Sequence, residues 1–183
     1  MHRFAPEKAD RLEAPERQAL LQPRETLLRF GLKAGMTFVD VGAGTGLFTR
    51  HAAEIVGPGG RAVAVDSSGA MLDYLRARNG THLIETVEST DYEIPLEDGL
   101  ADLVLVAFVL HETEDRKRFL AELRRLLKPA GRILILEWSK VDEEQGPPRA
   151  ERLSAEDLAD DLRTLDVLDQ GDLSASHYAL VVR

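Results

Sequence analysis

The 183-residue sequence contains no cysteine, which excludes disulfide scaffolding, thiolate zinc sites and a cysteine nucleophile. Aromatic residues are sparse, with six Phe, three Tyr and a single Trp. Cations are in deficit, 23 Lys and Arg against 32 Asp and Glu, for a formal net charge of -9 and a pI of about 5.1. Phosphate backbones are bound by clustered Lys and Arg that release counterions, so nucleic acid is not an expected partner. No apolar run approaches the roughly 20 residues needed to span a bilayer. The opening residues His2, Arg3, Phe4, Ala5 and Pro6 lack the apolar centre of a signal peptide. These absences point to one soluble, cytoplasmic domain without membrane insertion.

Helix-prone, charged sequence fills residues 6–30, with Leu12, Ala19, Leu20, Leu27 and Leu28 as its apolar positions and Pro15 and Pro23 as punctuation. After Gly31 short β-branched runs alternate with amphipathic stretches, as in a parallel sheet covered by helices. Strands are expected at 37–41, 61–66, 81–87, 101–109 and 133–137. The fourth is almost uniformly apolar, so it should be central and buried on both faces. Helices are expected over 46–56, from Ser67 or Ser68 to Asn79, along the Phe119, Leu120, Leu123, Leu126 and Leu127 stripe ended by Lys128, Pro129, Ala130 and Gly131, and over 154–163. The polar stretch after Trp138, through Gly146, Pro147 and Pro148, reads as a loop at the carboxyl edge of the sheet. Two final strands, 165–168 and 177–182, can pair as a hairpin. The expectation is a doubly wound α/β domain over 31–183, with residues 1–30 as a helical cap of the same domain.

The first strand runs into Asp40, Val41, Gly42, Ala43, Gly44, Thr45 and Gly46, and a helix follows at once. Such a turn brings backbone amides and a helix N-terminus to a crevice with no side chains in the way. The dinucleotide fingerprint, G-x-G-x-x-G, has its third glycine one residue later to seat a pyrophosphate; here position 47 is Leu. Asp40 would repel a pyrophosphate and attract a ligand carrying an ammonium and a sulfonium. Asp66 closes the second strand about twenty residues on, where a carboxylate can accept both ribose hydroxyls. A cap on the next helix is its competing role.

With Asp40, the tight glycine spacing and Asp66 on consecutive strands, the sequence resembles the class I S-adenosylmethionine-dependent methyltransferases, in particular the small ubiquinone/menaquinone-methyltransferase-like group. The resemblance covers about residues 31–132 and continues more loosely to the end. It implies a Rossmann-like, mostly parallel seven-stranded sheet whose last strand is antiparallel. It also implies S-adenosyl-L-methionine as methyl donor and S-adenosyl-L-homocysteine as product. The methionine amino group then falls near Asp40, the glycine loop on Gly42, Ala43, Gly44 and Gly46, and the ribose on Asp66 and Ser67. Met71 lies where a methionine often covers the adenine, and Ala107 lies at the methionine end. The adenine position, an Asp and a small residue before Leu-Pro in the family, becomes Thr90 and Asp91 before Ile94 and Pro95. An ordinary turn is the competing reading there, as core packing is for Met71.

His111, just past the central strand, is the best placed of the five histidines for general-base work, because sites in open sheets lie outside the strand carboxyl ends. Glu137 and Trp138 occupy the same edge one strand over. Glu137 joins His111 as a catalytic candidate; Phe108, His111, Trp138 and, from the N-terminus, Phe4 are the substrate-contact candidates. Solvation or helix capping for His111, and loop anchoring for Trp138, are the structural alternatives. No metal site is expected. The expected reaction is methyl transfer to a small-molecule acceptor. An NAD(P)-dependent oxidoreductase of the same topology and a non-catalytic S-adenosylmethionine-binding protein are the rivals.

Overall fold

The computed structural model of the chain describes residues 9–79, 83–142 and 146–183. Three short helices lead in: α1 (Ala9–Leu12), α2 (Pro15–Leu21) and α3 (Pro23–Arg29). Pro15 and Pro23 each occupy the first turn of a helix, where a missing amide costs nothing. Then follow β1 (Thr37–Val41), α4 (Leu47–Val56), β2 (Arg61–Asp66), α5 (Gly69–Asn79), β3 (Ile84–Glu88), β4 (Ala101–Ala107), α6 (Arg116–Arg125), β5 (Leu127–Trp138), α7 (Ala155–Leu158), β6 (Val167–Asp172) and β7 (His177–Val182).

The strands form one seven-stranded sheet in the order β3-β2-β1-β4-β5-β7-β6. All neighbours are parallel except β7, which runs antiparallel to both β5 and β6. The expected doubly wound, mostly parallel sheet with an antiparallel last strand is therefore the architecture observed. Successive strand residues face opposite sides, and β4 shows the consequence. Leu103 and Leu105 pack with Phe38, Leu134 and the residues of α3 and α4, while Val104 and Val106 pack with Val39, Ile133 and the residues of α6. None of the four is more than 1% exposed, so truncating one, as in Leu105→Ala, would cost about 2–5 kcal/mol.

The last elements depart from expectation. The strand expected at 133–137 begins at Leu127, because Lys128 ties its start to Asp102 on β4 at 2.6 Å and a bulge between Ala101 and Leu103 absorbs the change of register. The helix expected over 154–163 is regular only from Ala155 to Leu158, under a capping box of Ser154 and Asp157. Beyond it, an Arg116 to Asp161 bond of 2.5 Å and an Arg124 to Thr164 carbonyl bond of 3.2 Å hold the chain against α6 as turns. The strand expected at 165–168 lies at Val167–Asp172. The third strand starts at Ile84; residues 80–82 lie outside the described residues, as does Phe4.

From the centre of the sheet the order runs outward through β1 to β2 and β3 on one side and through β4 to β5 on the other. The loops leaving β1 and β4 consequently diverge, and a crevice opens at their carboxyl ends.

Candidate functional site

That crevice is a cleft of about 1390 Å³. Its floor is the turn after β1, where Gly42, Gly44 and Gly46 take φ of +76°, +54° and +78°. Two have steric reasons as well. A Cβ on Gly42 would strike Val109, and one on Gly46 would strike Leu75 of α5. Gly42, Ala43 and Gly44 line the cleft; Gly46 lies behind it as the N-cap of α4.

One expectation about this loop is corrected. Four of its amides are spent inside the fold: Gly42 and Ala43 donate to the Val65 carbonyl at 2.8 and 3.0 Å, Gly46 to the Ala43 carbonyl at 2.8 Å, and Gly44 to Asp66 Oδ2 at 2.8 Å. The loop therefore does not offer these amides to a pyrophosphate. It presents bare backbone against which a flat or uncharged part of a ligand can lie.

Two carboxylates flank the loop. Asp40 is 2% exposed and accepts a 2.6 Å hydrogen bond from Thr49 Oγ1 on α4. Burial pushes its carboxyl up to about 7; the Thr49 hydrogen bond opposes this and the nearby Asp66 adds to it. Asp66 accepts the Gly44 amide through Oδ2 and the Ser68 amide through Oδ1, each at 2.8 Å. It thus fastens the glycine loop to the entry of α5, and a carboxylate has acceptor capacity beyond two bonds. Ser67 and Met71 line the same wall, Met71 with only 3% of its surface exposed. Thr90 and Asp91 do not line the cleft. Thr90 Oγ1 accepts from the amides of Tyr92 and Glu93 at 3.4 and 3.0 Å, the pattern of a local turn.

On the far side, Ala107 ends β4 and Phe108 follows it, and both border the cleft. Phe108 has φ +62°, a strained left-handed conformation for a bulky residue. The turn throws its ring against Trp138 (centroids 5.7 Å apart) and His177 (5.2 Å), which lie 4.1 Å from each other. Gly146 permits the loop after β5 to lie on the Trp138 ring, since a Cβ there would come within 2.7 Å of it. Arg152, 1% exposed, fixes that loop through the carbonyls of Pro147 (3.0 Å), Val141 (3.1 Å) and Ser139 (3.3 Å) while covering the other part of Trp138.

His111 borders the cleft, and its Nδ1 lies 3.1 and 3.0 Å from the two carboxylate oxygens of Glu137. Glu137 is fully buried behind it and also accepts the amides of His111 (3.3 Å) and Trp138 (3.1 Å). Burial pulls the His111 value down, but the hydrogen bond and charge of Glu137, helped by Glu112 and Glu151, leave it raised. With Nδ1 facing the carboxylate, the carboxylate selects the Nδ1–H tautomer and leaves Nε2 as the basic nitrogen.

Several residues in and around the cleft carried no functional signal in the sequence. Arg17 of α2 stands 5.3 Å over the Phe108 ring. Glu13, just after α1, holds Arg50 of α4 at 2.6 Å, and Leu12 reaches to within 3.4 Å of where a Cβ on Gly44 would stand. His177 arrives from β7, 66 residues after His111 in the chain. Only Thr49 was open to inference, since a hydroxyl in the first turn of α4 faces back toward the end of β1.

Fold and cleft together define a Rossmann-like protein that holds a small ligand where β1 and β4 diverge. A methyltransferase-domain family model matches residues 39–135. A S-adenosylmethionine-dependent methyltransferase from Aquifex aeolicus is 31% identical, with 98% of each chain covered and a TM-score of 0.92. The ubiquinone/menaquinone biosynthesis C-methyltransferases of Hahella chejuensis and Idiomarina loihiensis are each 36% identical over 124 residues, 66% of this chain. The chain spans about half the length of those two relatives, 50% and 49%. The chain belongs to the S-adenosylmethionine-dependent methyltransferase family, whose cofactor is S-adenosylmethionine. Among the described residues no helix is long and apolar enough to cross a membrane.

Proposed function

We propose that the protein transfers the methyl group of S-adenosylmethionine to a small-molecule acceptor in the cytoplasm, within a cleft whose outer edge is the N-terminal cap of the same domain. One observation carries the reading: two carboxylates, Asp40 and Asp66, flank a left-handed glycine turn whose amides are already committed. That arrangement suits a cationic amino acid joined to a ribose and disfavours a pyrophosphate, so the donor set fits S-adenosylmethionine and not NAD(P). Asp40 would face the ammonium, Gly42, Ala43 and Gly44 would border the methionine, and Asp66 with Ser67 would take the ribose. Gly46 would serve by keeping α5 close to the loop. Met71 would cover the adenine.

When bound, the cofactor supplies a methyl group on sulfur, an electrophile whose leaving group departs neutral. The chain's own task is alignment and exclusion of water. Ala107 and Phe108 would border the sulfur, and Phe108 with Trp138 would hold the acceptor. His111 Nε2 would accept the acceptor's proton, with Glu137 fixing the tautomer and stabilising the imidazolium. The name of the curated relatives supports carbon as one possible acceptor atom. The experiment is transfer of an isotopically labelled methyl group from S-adenosylmethionine into a mixture of small aromatic acceptors. Label appears in a small molecule if the reading holds. Label found only in added RNA or protein would overturn it.

A further inference from the structure

Arg17 of α2 lines the cleft. An arginine offers five donors; among the described residues this one makes one 3.3 Å hydrogen bond, to the Leu12 carbonyl. Among the described residues no carboxylate lies within ion-pairing distance of it. Glu13 is felt only through its charge, and the carboxylate of Glu13 is bonded to Arg50 at 2.6 Å. Burial nevertheless pulls the guanidinium down to about 10. A partly buried guanidinium at the cleft wall is stabilised further by an anion placed beside it.

Its surroundings narrow that anion. Beneath Arg17 lies the Phe108 ring, continued by Trp138 and His177 in one aromatic wall. His177 is held neutral, pulled down to about 4 by burial and by the charges of Arg17 and Arg152. Arg152 is engaged with three backbone carbonyls and lies 5.1 Å from the centroid of the Trp138 ring. Arg17 and Arg152 thus bring positive charge to the aromatic wall. Planar rings favour a planar guest, and a guanidinium matches a carboxylate in two-point geometry.

We propose that Arg17 seats an anionic group, a carboxylate or a similarly planar oxyanion, carried on an aromatic methyl acceptor whose ring lies against Phe108, Trp138 and His177. This rests on the methyl-transfer reading and specifies its acceptor. Arg17 is then a specificity residue on α2, and the cap supplies part of the acceptor site.

The test measures binding to the full chain saturated with S-adenosylhomocysteine, by calorimetry, of benzoate, salicylate and 2-naphthoate against benzamide, salicylamide and 2-naphthamide. The amides keep ring and shape and remove the charge. At least one acid should bind about tenfold tighter than its amide, and Arg17→Gln should abolish that preference while Arg17→Lys keeps part of it. S-adenosylhomocysteine affinity and thermal melting of each variant report whether it is folded. Equal binding of acids and amides by the unsubstituted protein, or a preference that survives in Arg17→Gln, would overturn the proposal; the first outcome requires no variant to fold. Failure of S-adenosylhomocysteine to bind at all would instead strike the methyl-transfer reading.

Discussion

Asp40 is the residue whose chemistry is most dependent on what fills the cleft. With its carboxyl raised from an ordinary 3.8 to about 7, the cofactor-free fold holds the neutral acid below that pH. Because the folded value lies above the unfolded one, the stability linked to this proton is complete below about pH 4 and is lost as pH rises through about 7. An ammonium beside Asp40 reverses the preference. S-adenosylhomocysteine should therefore bind more weakly as pH falls below about 7, releasing a proton on binding. Asp40→Asn should flatten that dependence and weaken binding about tenfold or more. Thr49→Val, which removes the hydrogen bond favouring the ionised form, should move the midpoint to higher pH. Affinity titrations across pH check all three. A second pair behaves oppositely. His111 sits above its usual value because Glu137 outweighs burial, so the basic form appears only as pH rises through that raised value. Glu137→Gln should shift the acid limb of the rate profile to lower pH and reduce turnover on the order of tenfold to a hundredfold. An unmoved limb would remove His111 from the reaction.

At the level of elements, the glycine turn separates steric need from ligand need. Gly46 lies outside the cleft and is held at φ +78° against Leu75. Gly46→Ala should destabilise the fold by about 1–3 kcal/mol through strain and the clash with α5. Leu75→Ala should recover part of that in the double variant, as a thermal or denaturant double-mutant cycle would show. Elements with their own pattern were legible in the sequence: β1, β2 and α4 lie where apolar periodicity put them, since each buries its own face. Elements whose limits are set by a partner were not. The edge strand β6, mostly exposed, has no periodicity to read and takes its register from β7. The early start of β5 depends on Lys128 meeting Asp102. The site divides the same way. Asp40, Asp66, His111 and Phe108 were visible because each lies at or just past the carboxyl end of a strand, whereas Arg17 and His177 come from opposite ends of the chain and meet only across the folded cleft.

For the molecule as a whole, the N-terminal helices are tied to the core by the Glu13 to Arg50 bond and by Leu12 over Gly44. Glu13→Gln should destabilise the fold by about 1–3 kcal/mol, because the pair is largely buried, and speed release of S-adenosylhomocysteine, measured by stopped-flow fluorescence of Trp138. The central claim concerns the cleft itself: Asp40, the glycine turn and Asp66 select S-adenosylmethionine over a dinucleotide. The most direct measurement is calorimetric titration of the protein and of Asp66→Ala with S-adenosylhomocysteine and with NAD. The account predicts saturable one-to-one binding of S-adenosylhomocysteine, a loss of about tenfold or more in Asp66→Ala, and no heat from NAD. Binding of NAD in place of S-adenosylhomocysteine, or an affinity indifferent to Asp66→Ala, would contradict it.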